Sequence, residues 1–164
     1  MDAGALDAFL TARGYVAVPL AVNAAGHFEV AEARLDGAPV RLLLDTGASH
    51  TVVDRASAAR LGLASTASER RGGGVGGADQ ALTTVTVGRL TLGPAALAGV
   101  GAYVMDLSHV SAALAQRGGA AIDGAVGGDL LRPAEAVIDY ARSTLYLMRP
   151  AGTFGAARRA GQRT

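Results

Sequence analysis

The sequence LLLDTGASHTVV, residues 42–53, decides how this chain is interpreted, because three leucines lead directly into a single carboxylate, Asp45. The ordinary interpretation is an aspartate at a strand end that forms an Asx turn with Gly47, and spacing alone favours it. The apolar context predicts instead that Asp45 is partly buried, and a lone buried carboxylate is costly and tends to protonate. A partner carboxylate, with hydrogen-bond donors from the turn 46–49, would explain its position.

Short strands are predicted along most of the chain. Alternation predicts a strand at Tyr15–Val22 and a hairpin whose arms, Phe28–Leu35 and Val40–Leu44, meet at the turn Asp36-Gly37. Further strands are predicted at ALTTVTVG, RLTLG and GVGAYVMD, and AEAVIDYARSTLYLM predicts a closing hairpin. The chain is therefore expected to be a mainly β domain.

Two or three short helices are predicted in addition to these strands. Helical spacing of apolar residues and glycine stops predict helices at 3–13, 54–63 and 106–118. Asp54 is the expected N-cap of the second helix, and Asp106 or Ser108 that of the third. The predicted apolar faces are Leu6, Phe9 and Leu10 in the first helix, and Leu107, Val110 and Leu114 in the third.

Composition narrows the class of protein. The 164 residues fit one domain, and 50% hydrophobic with 18% charged residues are compatible with a packed core. A net charge of +1 argues against nucleic acid as a partner. The absence of cysteine excludes disulfides and thiol catalysis, and the absence of lysine excludes Schiff-base chemistry. No membrane span or export signal is seen, so no membrane partner is expected and the compartment stays unknown.

Other catalytic patterns are weak. The histidines His27, His50 and His109 lie far apart and show no metal-ligand spacing, so neither a metal nor a cofactor is expected. GGGVGG, residues 72–77, formally matches a dinucleotide-binding motif. That motif needs a strand before it and a helix after it, whereas STASERR precedes it here and the residues that follow are strand-like, so we reject this interpretation.

Two motifs together resemble the aspartic proteases. LLLDTGASHTVV is similar to their active-site motif, and GAVGGDLL, Gly124–Leu131, is similar to their second motif of two hydrophobic residues and a glycine, here Val126 and Gly127. RRGGGVGG lies between them, where that fold has its flap. The likeness is to single-lobe, retropepsin-like enzymes of bacterial type. It implies a closed acid-protease-type β-barrel lobe and an endopeptidase that acts on a peptide or protein.

The number of motifs implies the assembly. Pepsin-like enzymes carry two Asp-Thr/Ser-Gly motifs in one longer chain, whereas this chain has one. The resemblance therefore implies a homodimer in which each subunit contributes one Asp45. A non-catalytic peptide-binding or scaffold protein on the same fold is the alternative, and a mainly monomeric chain with conditional activity is a third possibility.

The resemblance also implies roles for individual residues. Asp45 would be catalytic, Thr46 would hold the two loops in register across the axis, and Ser49 would brace the outer oxygen of Asp45. Gly47 would let substrate backbone approach closely, and His50 is expected to be neutral and exposed. The substrate-binding residues would be Ala48, Gly74, Val75, Gly76 and Gly77.

The ends of the chain and two positions depart from the resemblance. Viral relatives often have an acid at the position of Ser49 and an arginine at that of Gly128, and here both are absent together, so no unpaired charge remains. The expected organisation is a helical extension at 1–14, the protease domain at 15–149 and a mobile basic tail at 150–164.

Overall fold

The computed structural model describes residues 3–72 and 80–148, so the predicted tail at 150–164 lies outside the described residues. The described part has four helices, one more than the two or three predicted: α1 (Ala3–Ala12), α2 (Arg55–Arg60), α3 (Ser108–Ala115) and α4 (Gly128–Leu131). Its strands are β1 (Tyr15–Val22), β2 (Phe28–Val30), β3 (Ala33–Leu35), β4 (Ala38–Val40), β5 (Leu42–Leu44), β6 (Val52–Asp54), β7 (Ser65–Gly72), β8 (Gln80–Leu92), β9 (Ala95–Met105), β10 (Gly124–Val126), β11 (Val137–Asp139) and β12 (Thr144–Met148).

The strands form one sheet, which is curled into a half-barrel. Their order is β11-β12-β1-β2-β5-β10-β6-β9-β8-β3-β4, with β7 paired to β8 off this path. The concave side encloses a core of aliphatic side chains, among which Val18, Leu92, Val126, Leu145 and Leu147 have no exposed surface. The mainly β fold predicted from the sequence is therefore confirmed.

The predicted hairpin is made differently from its two expected arms. Asp36 and Gly37 form the turn, with φ of 49° and 88°, but they join only β3 to β4. β2 and β5, the remaining parts of the two expected arms, pair with each other at Glu29 and Leu43. Glu29 is buried, and its carboxylate is bound by Arg41 and Asn23, so this strand pairing leaves no unpaired buried charge.

Strand β10 positions the residues around Asp45. β10 lies between β5, to which it is parallel, and β6, to which it is antiparallel. Leu44 is paired with Val126 at the end of the β5–β10 ladder. The chain leaving β5 therefore emerges beside the second glycine motif, which is distant in sequence.

Helix α1 is attached to the sheet rather than standing apart from it. Leu10 is buried, and the Tyr146 hydroxyl on β12 donates a hydrogen bond to Asp7 at 3.2 Å. Burial of the Tyr146 ring raises the pKa of its hydroxyl. The expected apolar face was wrong at Phe9, which is 51% exposed and lies under the Arg13 guanidinium.

The other helices follow their sequence signals more closely. The Asp54 side chain caps α2 by accepting from the N–H groups of Ala56 and Ser57, as predicted. The N-cap of α3 is Leu107, not Asp106 or Ser108, and Asp106 instead accepts from the Ser108 N–H. Across residues 3–72 and 80–148, none of the helices has the length and hydrophobicity needed to cross a membrane.

The later strands are longer than predicted. The two expected strands ALTTVTVG and RLTLG are one strand, β8, which pairs with β9 from Thr83 to Leu92. The closing hairpin β11–β12 is confirmed, and its turn is fixed by an ion pair of Arg142 with Asp139 at 2.6 Å. Hydrogen bonding to Arg142 lowers the pKa of the Asp139 carboxyl.

Candidate active site

Asp45 lies immediately beyond β5, where the sheet ends. Its N–H donates to the Val126 carbonyl at 3.1 Å, which extends the β5–β10 ladder by one residue. The residue is exposed in the single chain, so the prediction of a partly buried carboxylate was wrong for this state. The physical reason is that the chain turns at the margin of the sheet and nothing in the described part of the chain covers it.

The Asp45 carboxylate is held by the backbone that follows it. Its Oδ1 accepts from the N–H groups of Gly47 at 2.9 Å and Ala48 at 3.2 Å. The Asx turn expected on the ordinary interpretation is therefore present, and it fixes the carboxylate at the same time. A Cβ on Gly47 would lie 3.3 Å from that same Oδ1, a tight contact that favours glycine.

The neighbouring polar residues have different surroundings. Thr46 is exposed beside Asp45. No hydrogen bond joins the Ser49 hydroxyl to Asp45 among the residues that the structure describes, and the Ser49 carbonyl accepts from the Asp129 N–H at 3.0 Å. The expected brace from Ser49 is thus not formed in the single chain.

The second glycine motif packs directly against the loop that carries Asp45. A Cβ on Gly127 would lie 2.4 Å from both the carbonyl carbon and oxygen of His50, closer than real contacts allow. Gly128 donates its N–H to the Ala48 carbonyl at 2.8 Å, and Val126 is fully buried. The structure therefore brings the two predicted motifs into contact.

Asp129 is a site residue that the sequence analysis missed. Its Oδ1 accepts from both the N–H and the hydroxyl of Thr51 at 2.8 Å, and the Thr51 hydroxyl accepts from the Gly127 N–H at 3.2 Å. His50, exposed as predicted, places Nδ1 3.7 Å from the other Asp129 oxygen. The signal was the polar Thr51 within an apolar run, since a buried threonine needs a partner.

Replacing Asp129 by Ala is expected to destabilise the fold by about 2 kcal/mol, because the Thr51 N–H is buried and would lose its acceptor. Asp129→Asn keeps an oxygen acceptor and should cost clearly less. Urea unfolding of both variants measures the difference, with Glu32→Ala, an exposed acid elsewhere, as the control. Equal stability of Asp129→Ala and Glu32→Ala would contradict this role.

The structure describes only part of the predicted flap. Gly74, Val75, Gly76 and Gly77 lie outside the described residues. The strands that lead to and from them, β7 and β8, pair antiparallel, with Gly72 opposite Gln80.

A cleft of about 450 Å³ opens beside Asp45. Leu43 and Leu44 of β5 line it on one side, and α3 lines it on the other with Val110 and Leu114. The remaining lining residues are Ala25, His27, Ala113, Gln116 and Arg117. The carboxylate thus lies at the wall of a cleft wide enough to take a side chain.

A curled β lobe with an Asp-Thr-Gly loop packed on a second glycine motif defines a retropepsin-like aspartic protease lobe. The sequence profile of the aspartyl proteases matches residues 31–130, and the chain belongs to that family. The match includes both glycine motifs up to Leu130.

Solved structures show the same fold. The chain is similar to a retropepsin-like aspartic protease from Rickettsia conorii, with 21% identity, a TM-score of 0.51, and coverage of 82% of this chain and 89% of that one. It is also similar to the retroviral protease-like domain of Ddi1 from Leishmania major, with 18% identity, a TM-score of 0.51, and coverage of 77% and 96%. No curated protein matches the sequence.

Proposed function

We propose that this chain is an aspartic endopeptidase whose active unit is a homodimer, with one Asp45 from each subunit at the two-fold axis. The observation that carries the proposal is the exposed Asp45 carboxylate, held by two backbone donors in the single Asp-Thr-Gly loop of the sequence. This chemistry needs two carboxylates that share a proton. Because one chain supplies one such loop, a second copy supplies the other.

In the proposed mechanism the two carboxylates act as a unit. At about 3 Å apart they do not both ionise readily, so the pair holds one proton over an acidic range. The ionised Asp45 takes a proton from a water between them, and the protonated Asp45 of the other subunit donates a hydrogen bond to the scissile carbonyl. The water oxygen attacks the carbonyl carbon, and a proton passes to the amine nitrogen as the C–N bond breaks.

The residues around Asp45 take supporting roles. Thr46, exposed beside the carboxylate, would contact its counterpart across the axis. Gly47 and Ala48 hold Asp45 through their N–H groups, and glycine at the first position leaves room for substrate backbone. Bracing by Ser49 would form only in the assembled dimer. Residues 74–77 would cover an extended peptide and pair with its main chain.

A shallow groove beside Thr46 supports the proposed dimer. It measures about 340 Å³ and has an apolar floor that includes Leu131 and Ile138. Two exposed groups of opposite charge, Arg132 and Glu135, also line it, and neither forms an ion pair with another described residue. A two-fold axis near Thr46 would bring Arg132 of each subunit towards Glu135 of the other, so the pair would occur twice.

Reversing either charge is expected to weaken the dimer about tenfold, since each reversal places two like-charged contacts across the axis. The double variant Arg132→Glu with Glu135→Arg should restore dimerisation. Sedimentation equilibrium measures the dissociation constants, and Arg89→Glu on β8 is the exposed control. Failure of the double variant to recover would argue against this pair as an interface contact.

The proposed activity is tested with a broad peptide library at roughly pH 4–6, where such a dyad holds one proton. Cleavage is followed by mass spectrometry, and the mass of the enzyme in solution is measured under the same conditions. Cleavage by a species of twice the chain mass is expected. An active monomer would contradict the dimer, and peptide binding without cleavage would favour a non-catalytic peptide-binding protein on this fold.

A further inference from the structure

The cleft beside Asp45 has two chemically distinct parts. Its floor is aliphatic and comes from Leu43 on β5 and from Val110 and Leu114 on α3, with Leu114 only 3% exposed. Apolar surface of this kind favours the hydrocarbon portion of a substrate side chain. The floor alone would select for size and not for charge.

The outer part of the cleft carries basic and amide groups. His27, Gln116 and Arg117 line it, and all three are exposed. Arg117 follows the C-terminal turn of α3, and it forms no ion pair with another described residue. Among the lining residues that the structure describes, Asp45 is the only one with a carboxylate. A guanidinium in this position provides planar, fixed hydrogen-bond donors suited to a carboxylate.

We propose that this cleft selects substrates with a glutamate next to the cleaved bond, and that Arg117 determines the selection. The inference rests on the proposed peptidase function and adds a substrate class to it. The two methylene groups of glutamate would cover the aliphatic floor, and its carboxylate would reach Arg117 with His27 and Gln116 beside it. Aspartate is one methylene shorter, so its charge would lie closer to Asp45, which repels it.

The preference is measured with peptide pairs that differ only by Glu or Gln at each position flanking the cleaved bond, because these side chains have the same shape and differ in charge. For wild-type enzyme, kcat/KM is expected to be about three- to fivefold higher for the Glu peptide at one position. Arg117→Gln should bring the ratio to about one, and Arg117→Glu should invert it. Raised salt should reduce the wild-type ratio.

A control variant separates this inference from the proposed function. Arg89→Gln, an exposed arginine that does not line the cleft, should keep both the wild-type ratio and the wild-type kcat/KM for each peptide. A ratio unchanged in Arg117→Gln, or a preference for Lys or Arg peptides, would overturn the inference while leaving the peptidase intact. If wild type cleaves nothing, the proposed function fails, and the same Glu-to-Gln ratio is then measured by peptide binding.

Discussion

Replacing Asp45 by Asn is expected to lower kcat/KM for peptide cleavage by at least about 10³-fold, because the pair would lose its general base. Asparagine has the same shape, and its amide oxygen can still accept from the N–H groups of Gly47 and Ala48. The loop should therefore keep its conformation. The loss of kcat/KM would then reflect the missing charge of the Asp45 carboxylate and not a change in the fold.

A matched control for this variant exists in the same chain. Asp106 is also exposed, and its Oδ1 accepts from the N–H two residues on, Ser108, at 2.9 Å, the same distance as from Asp45 to Gly47. Asp106→Asn removes the charge of an exposed aspartate that also accepts from a following N–H but does not line the cleft. We expect full activity for Asp106→Asn and thermal unfolding close to that of wild type for Asp45→Asn. Cleavage that survives Asp45→Asn would refute the mechanism.

Mixing wild type with Asp45→Asn tests whether two chains share one site. Random pairing of equal amounts leaves about one quarter of dimers with two Asp45 residues, so activity after exchange should fall well below half. A monomeric enzyme would lose activity only by dilution, to half. The comparison needs no knowledge of the substrate beyond one cleaved peptide.

Much of this site could be predicted from the sequence because the deciding signals are local. Asp45 at the end of an aliphatic strand, with glycine two residues on, forms the Asx turn that its spacing predicts. Asp36-Gly37 and Asp54 likewise act through neighbours in the chain, as a turn and an N-cap. Each of these features involves residues within a few positions of one another.

The features that the sequence did not predict depend on contacts between distant segments. Asp129 binds Thr51, which lies 78 residues earlier, and only the packing of α4 on the Asp45 loop brings them together. The basic lining of the cleft joins His27, between β1 and β2, with Arg117, which follows α3. The amphipathic pattern of α3 indicated only its buried face. Similarly, the exposure of Asp45 reflects where the sheet ends, which residues 42–53 alone do not show.

Gly127→Ala is expected to lower the free energy of unfolding by about 2–4 kcal/mol. The added Cβ would lie 2.4 Å from the His50 carbonyl carbon and oxygen and 2.9 Å from the Thr51 nitrogen. These are backbone atoms, so no side-chain rotation relieves the contact. The contact is therefore relieved only by a backbone movement, either of Gly127 with β10 and α4 or of the loop after Asp45.

This movement is also expected to affect peptide cleavage. His50 and Thr51 follow the Asp45 loop directly, and Gly127 binds the Thr51 hydroxyl through its N–H. We therefore expect Gly127→Ala to lose most peptide cleavage at temperatures where it is still folded, unlike a variant that is only less stable. Activity and urea unfolding measured on the same preparation separate the two effects.

Gly101→Ala on β9 provides the matched comparison. A Cβ there would meet nothing within 4 Å, and its φ is not in the left-handed region, so alanine should be neutral or stabilising by up to about 1 kcal/mol. If Gly127→Ala unfolds at the same urea concentration as Gly101→Ala, the packing of the second glycine motif against the Asp45 loop is not as close as the structure has it. A destabilised but fully active Gly127→Ala would show that the contact supports the fold without positioning Asp45.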